Sequence, residues 1–143
     1  MLKLRKNDCD AMRRHAEAAY PVECCGVLLG TRSGDTREVL KVVPCANTRL
    51  DSPHRNYGID PVEVIRVRKD ARASGLEIVG FYHSHPDHPA RWSPTDLQEA
   101  NWIGYSHVII SVEGGNATAT NSFVLSGTRE EDKAFLDEEI VVL

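Results

Sequence analysis

The stretch Leu76-Glu-Ile-Val-Gly-Phe-Tyr-His83-Ser84-His85-Pro86 decides the architecture. Leu76–Tyr82 reads as a strand, and it delivers the chain to two histidines and a proline. Before it, Asp60-Pro61 opens a helix that ends near Ser74-Gly75, with Asp as cap and Pro at the first helical position. After it, Asp87–Trp92 is a loop and Ser93-Pro94-Thr95-Asp96 opens a further helix through about Asn101. His107–Val112 is then a buried strand. Helices and strands alternate through this middle region, which predicts an α/β sheet with helices packed on it.

Working outward, the first helix begins at Asn7 or Asp8, either able to cap it, and runs to about Ala19. Cys9, Met12, Ala16 and Ala19 recur at helical spacing as its buried stripe, and Pro21 ends it. Gly26-Val-Leu-Leu-Gly30 is a buried strand, Ser33-Gly34-Asp35 a turn and Thr36–Val43 a second strand, together a hairpin. Asn47–Gly58 is a polar connection carrying Pro53, His54, Arg55 and Tyr57. Gly114-Gly115 turns the chain into Ala117–Leu125, a second hairpin partner. The acidic segment Glu130–Glu139 leads to a terminal strand, Ile140–Leu143. On the second helix Val64, Val67 and Ala71 face inward. Arg66, Lys69 and Arg72 crowd other faces, as a solvated surface or as the footprint of an acidic partner.

The chain has 143 residues, one domain's worth, with 41% hydrophobic and 27% charged residues, 10 Gly and 7 Pro. That balance excludes disorder, collagen and coiled coil. A net charge of −4 argues against nonspecific nucleic-acid binding, which needs a basic surface. No apolar run approaches the ~18 residues of a membrane helix. Met1–Asp8 also lacks a signal peptide's apolar stretch, so a cytoplasmic protein is expected. Four cysteines (Cys9, Cys24, Cys25 and Cys45) form no CxxC pair and read as reduced, mostly buried thiols.

The chemistry concentrates around His83 and His85. Residues i and i+2 of a strand project from one face, so two imidazoles there can share a divalent metal. Asp96, on the first turn of the following helix, is a candidate third ligand. Ser93-x-x-Asp96 is equally a capping box, which explains both residues without any metal. Glu23 sits just ahead of a buried strand, an odd place for a charge with no partner. His88 reads as an exposed loop residue and His107 as a core histidine, while His15 and His54 have no clear role.

Glu23, then His83-x-His85, ten residues and Asp96, with Ser93 three before the Asp, resembles the JAMM (MPN+) metalloprotease motif. The surrounding text looks like the small prokaryotic branch. It includes Pro21-Val-Glu23-Cys-Cys-Gly26-Val-Leu-Leu-Gly30, Asn47, Tyr57-Gly-Ile-Asp-Pro61 and Gly80-Phe-Tyr-His-Ser-His-Pro86, and the likeness spans roughly residues 1–125. The resemblance implies a cytidine-deaminase-like mixed β-sheet flanked by helices, with residues 1–143 as a single domain. It further implies His83, His85 and Asp96 as ligands of one zinc with a bound water, Glu23 as general base, and Ser93 as donor to the oxyanion. The substrates implied are amide or isopeptide bonds next to the C-terminal Gly-Gly of a small ubiquitin-like protein, here a sulfur carrier. No nucleic acid or membrane enters that reading. Two other readings compete. A zinc deaminase needs H-x-E and C-x-x-C, which are missing. A non-catalytic MPN scaffold characteristically loses the metal ligands, and this chain keeps them. Cys25 is not expected to act as a nucleophile, and Trp92 is placed either to shape a glycine channel or simply to pack.

Overall fold

The computed structural model describes residues 1–49 and 56–143, so His54, Pro53 and Arg55 lie outside the described residues. In chain order the elements are β1 (Leu2–Leu4), α1 (Lys6–Ala19), β2 (Cys25–Ser33), β3 (Thr36–Cys45), α2 (Pro61–Ala73) and β4 (Glu77–Pro86). They continue with α3 (Pro94–Glu99), β5 (Ser106–Glu113), β6 (Asn116–Ser126), a 3-10 turn (Glu130–Asp132), β7 (Ala134–Glu138) and β8 (Ile140–Val142). The strands form one mixed sheet in the order β7-β6-β5-β4-β2-β3-β1-β8. β4 and β5 run parallel, because the α3 segment carries the chain back across the sheet; β2 pairs antiparallel with both β3 and β4.

The sheet's two edges are made by one piece of chain. β7 and β8 lie at opposite ends of the strand order yet are separated only by Glu139, so the sheet curls until its edges nearly meet. Glu138 fastens that seam: its Oε1 accepts from Ser122 Oγ on β6 at 2.7 Å, and its Oε2 pairs with Arg37 Nη1 on β3 at 3.1 Å.

Two cores follow from the period of two along the strands. On one face α1 packs Met12 and Ala16 against Leu28, Val79, Tyr82, Val108 and Ile110. On the other, α2 packs Val67 and Ala71 against Val27, Leu29, Ile78 and Phe81. The close approach of β2 to β4 requires Gly26. A Cβ there would stand 2.2 Å from the Tyr82 ring, whose hydroxyl reaches His15 Nδ1 at 2.7 Å.

Several expectations change. α1 starts at Lys6 with Arg5 as N-cap and no side-chain cap bond, so neither Asn7 nor Asp8 caps it; both fall within its first turn. Of its proposed stripe, Met12 and Ala16 are fully buried, while Cys9 and Ala19 are only partly so. The strand at Gly26–Gly30 is part of a longer one, Cys25–Ser33, and the strand at Leu76–Tyr82 continues to Pro86. β1 had no periodic signal over three residues. β7 lies within the acidic segment, where Phe135 packs against the cluster of Ala90, Ile109 and Phe123. The Asp60 cap of α2 is as expected, its side chain accepting from Val62 N at 2.9 Å.

Candidate active site

Sheet register gathers the site. Cys25 stands opposite His83 across the antiparallel β2–β4 pair, and extending that register by two residues brings Glu23 level with His85. Paired residues share a face, so Glu23, His83 and His85 all point to the α2 side while Cys24 and Ser84 point to the other. Ser84 locks the alignment: its Oγ accepts from Cys24 N at 2.8 Å, and its own N donates to Cys24 O at 3.2 Å.

α3 supplies the fourth group. Ser93 is its N-cap, with Oγ accepting from Asp96 N at 3.0 Å while Ser93 N donates to Asp96 Oδ2 at 2.9 Å. The same carboxylate faces the histidines. Asp96 Oδ2 lies 3.1 Å from His85 Nε2, and Oδ1 lies 3.4 Å from His83 Nε2. The two Nε2 atoms are 3.1 Å apart. His85 Nδ1 lies 2.9 Å from the Pro89 carbonyl, which can only accept, so Nδ1 carries a proton and Nε2 is the nitrogen turned to the cluster. Tyr57 stacks on the outer face of His83, with ring centroids 4.3 Å apart and planes 18° from parallel.

The electrostatics of this pocket are those of charges held away from water. Glu23 is 4% exposed, and its Oε1 is buried without a hydrogen-bond partner among the described residues. Burial pushes its carboxyl up to about 8, against the opposing pull of His85. Burial likewise holds His83 below the ordinary imidazole value, outweighing Asp96. For His85 burial also works downward, but the hydrogen bond and charge of Asp96 prevail and leave it raised. Burial opposes ionisation of Asp96, yet its contacts to His83 and His85 hold it far below the usual carboxylate range.

Glu23, His83 and His85 have donor atoms within 4.8 Å of one another, a group able to hold a metal ion, and Asp96 touches both imidazoles. The site opens to solvent through a cleft of about 860 Å³ lined by Glu23, His85, Pro89, Trp92 and Ser93. A second cleft of about 480 Å³ meets Asp96 and Tyr57 against Phe81, Trp102 and His107.

All five residues singled out in the sequence (Glu23, His83, His85, Ser93 and Asp96) come together. Among the described residues, the other histidines stay apart from them. His88 is exposed, His15 bonds Tyr82 on the α1 face, and His107 is a core residue pushed by burial down to about 4. The cysteines are free thiols, and burial raises Cys25 far above the ordinary thiol value, which suits packing and not nucleophilic attack. Two contributors carried no role in the sequence reading. Tyr57 is one. Asn47 is the other: its Nδ2 donates to the carbonyls of Glu23 and Asn56, both at 3.1 Å, and its Oδ1 accepts from Arg49 N at 3.0 Å and Gly58 N at 3.1 Å. Both lie in the stretches that resemble the small prokaryotic branch, and that resemblance is the signal that pointed there.

Known proteins resemble this chain in sequence and in fold. A desampylase from Haloferax volcanii is 37% identical over 102 residues, covering 71% of this chain and 71% of that protein. A probable TtuB-protein conjugate cleaving protease from Thermus thermophilus is 35% identical over 105 residues, covering 73% of this chain and 66% of the relative. The solution structure of a protein from Desulfitobacterium hafniense superimposes with a TM-score of 0.86 at 36% identity, over 100% of this chain and 93% of that one. A JAB1/MPN domain protein from Archaeoglobus fulgidus shares the fold at 16% identity, with a TM-score of 0.56 over 99% and 97% of the two chains. Residues 6–126 match the family model of prokaryotic homologs of the JAB domain, and the chain belongs to that family.

Proposed function

We propose that this chain is a zinc-dependent peptidase that hydrolyses the amide or isopeptide bond following the C-terminal Gly-Gly of a small ubiquitin-like protein, a sulfur carrier by preference. The observation that carries the reading is the convergence of three side chains: the His83 and His85 Nε2 atoms are 3.1 Å apart, and the Asp96 carboxylate meets them through Oδ2, 3.1 Å from His85, and Oδ1, 3.4 Å from His83. Donors on a tetrahedral zinc with ~2.0–2.1 Å arms stand ~3.3 Å apart, so the spacing fits. The donor set fits as well. Two imidazole nitrogens and one carboxylate, turned toward one another in a buried pocket, are a ligand set suited to a divalent cation. Glu23 has a donor atom within 4.8 Å of both imidazole donors, and we assign it to the water rather than to the ligand set.

Zinc in such a site lowers the pKa of water and polarises a carbonyl. The chain's own residues do the rest. Glu23, a buried carboxylate beside the two imidazoles, takes the proton of the attacking water at a carboxylate oxygen and passes it to the leaving amine. Ser93 Oγ already accepts from Asp96 N, which leaves its hydroxyl hydrogen to donate to the developing oxyanion. Glycine residues have no side chains to exclude, and an extended Gly-Gly can lie in the cleft beside Glu23 and Trp92. The names of the Haloferax and Thermus relatives, a desampylase and a protease that cleaves protein conjugates, favour the same substrate class.

The test is incubation of zinc-loaded protein with diglycine-tailed small proteins of the host, made as tail fusions, with mass analysis of the products. Cleavage after the second glycine is expected from the wild type and not from Glu23→Gln. Intact fusions with zinc-replete wild-type protein would refute the assignment.

A further inference from the structure

The loop after β4 has the position of a lid over the site but not the construction of one. Its first residue, Asp87, is held in the left-handed region at φ 57. Asp87 N donates to Val112 O at 2.6 Å, its Oδ1 accepts from Gly114 N at 2.9 Å, and its Oδ2 accepts from the Tyr20 hydroxyl at 2.7 Å. The next three carbonyls are each taken by a different side chain. His88 O accepts from Ser111 Oγ at 2.5 Å, Pro89 O from His85 Nδ1 at 2.9 Å, and Ala90 O from Asn121 Nδ2 at 2.9 Å. Ala90 itself is buried against Ile109 and Phe123. Ser111 is also the register partner of His85 on the neighbouring parallel strand, so anchor and histidine rise from adjacent points of the sheet.

We propose that residues 87–90 form a fixed strut, and that Ser111 and Asn121 are positioning residues which, by holding the carbonyls on either side of Pro89, aim the Pro89 carbonyl at His85 Nδ1 and so fix the orientation of the His85 ring, with Nε2 turned to His83 and Asp96. A backbone carbonyl accepts and never donates, so a carbonyl held at that point bonds the Nδ1–H side of the ring and leaves Nε2 to the cluster. Freed of its two anchors, the carbonyl swings away and the ring turns about its side-chain bonds. The consequence for metal affinity rests on the ligand role proposed above for His85; the consequence for the ring orientation does not.

The experiment compares the wild type, Asn121→Ala, the Ser111→Ala/Asn121→Ala double variant and Ser106→Ala. Ser106 is a buried serine of the same strand whose hydroxyl has no partner among the described residues, so its removal controls for loss of a buried hydroxyl. Two quantities are read. Nuclear Overhauser contacts of the His85 ring protons in metal-free protein report the ring's orientation. Competition of zinc against a chromophoric chelator reports affinity. The wild type and Ser106→Ala should show a single orientation. The double variant should show contacts averaged over more than one orientation and bind zinc on the order of 10- to 100-fold more weakly, with Asn121→Ala between. A double variant that keeps the wild-type orientation, or matches the affinity of a zinc-binding wild type, overturns the proposal. A wild type that binds no zinc while the double variant still loses the single orientation would uphold the strut and sink the metal reading instead.

Discussion

Glu23 burdens the fold it serves, and the burden can be measured. In the metal-free protein its carboxyl is pushed by burial up to about 8, from an ordinary value of 4.5. Above pH 4.5 the unfolded chain therefore releases a proton that the folded chain retains. Stability is fully present below that pH, falls as pH rises, and levels off above about 8. At 1.36 kcal/mol per pH unit the deficit is about 1 kcal/mol at pH 5, about 2 at pH 6 and about 3 at pH 7. Glu23→Gln keeps the shape, removes the titration, and should stabilise the metal-free protein by those amounts. At pH 7 that is a rise of roughly 10 °C in Tm for a chain of this size. The assay is chemical and thermal unfolding of both proteins in chelator across pH 5 to 8, with the difference between them as the readout. The same variant should lose hydrolysis when loaded with metal. A stability difference that stays flat with pH, or a variant less stable than wild type at pH 7, refutes the argument that burial governs this carboxyl.

Three further outcomes bear on the site. His83→Ala and Asp96→Ala should each drop zinc content from about one per chain to near zero on metal analysis, because three donors leave no ligand to spare; either variant remaining zinc-replete removes that residue from the ligand set. Ser93→Ala should lower kcat by about 100- to 1,000-fold with KM little changed, and destabilise by about 1 kcal/mol through loss of the α3 cap; an unchanged kcat leaves Ser93 as a cap alone. Asn47→Ala strips at least four hydrogen bonds, to the Glu23 and Asn56 carbonyls and to the Arg49 and Gly58 amides, and should cost about 2–3 kcal/mol in denaturant titration. A loss below about 0.5 kcal/mol would show that water replaces its bonds.

What the sequence made legible was whatever a local pattern encodes. The strand through His83 and His85, the Asp60-Pro61 and Ser93–Asp96 helix starts, and the common face of the two histidines each rest on contacts within a few residues. What stayed hidden depends on distant pairing. β1 is three residues long and gains its definition only by lying between β3 and β8, whereas β8 is the terminal strand expected at Ile140–Leu143. β7 is an edge strand whose charged residues read as a solvated segment, and only Phe135 betrays its inward side. The Pro89 carbonyl has no side-chain signature at all. Tyr57 and Asn47 lie outside helix and strand, so no periodicity marks them.

Asp96 shows why two readings that looked exclusive in the sequence are one arrangement. As the third residue of a capping box it is held by Ser93 N on Oδ2, and that bond fixes the side-chain rotamer. The fixed rotamer is the one that presents Oδ1 to His83 and Oδ2 to His85. A carboxylate oxygen has two lone pairs, so the backbone donor and the imidazole side do not compete for it. The helix start thus does for Asp96 what the Pro89 carbonyl does for His85. Each turns a flexible donor into one already aimed, so that little side-chain freedom remains to be lost when a metal arrives. The capping box supports the ligand assignment; it does not stand as an alternative to it.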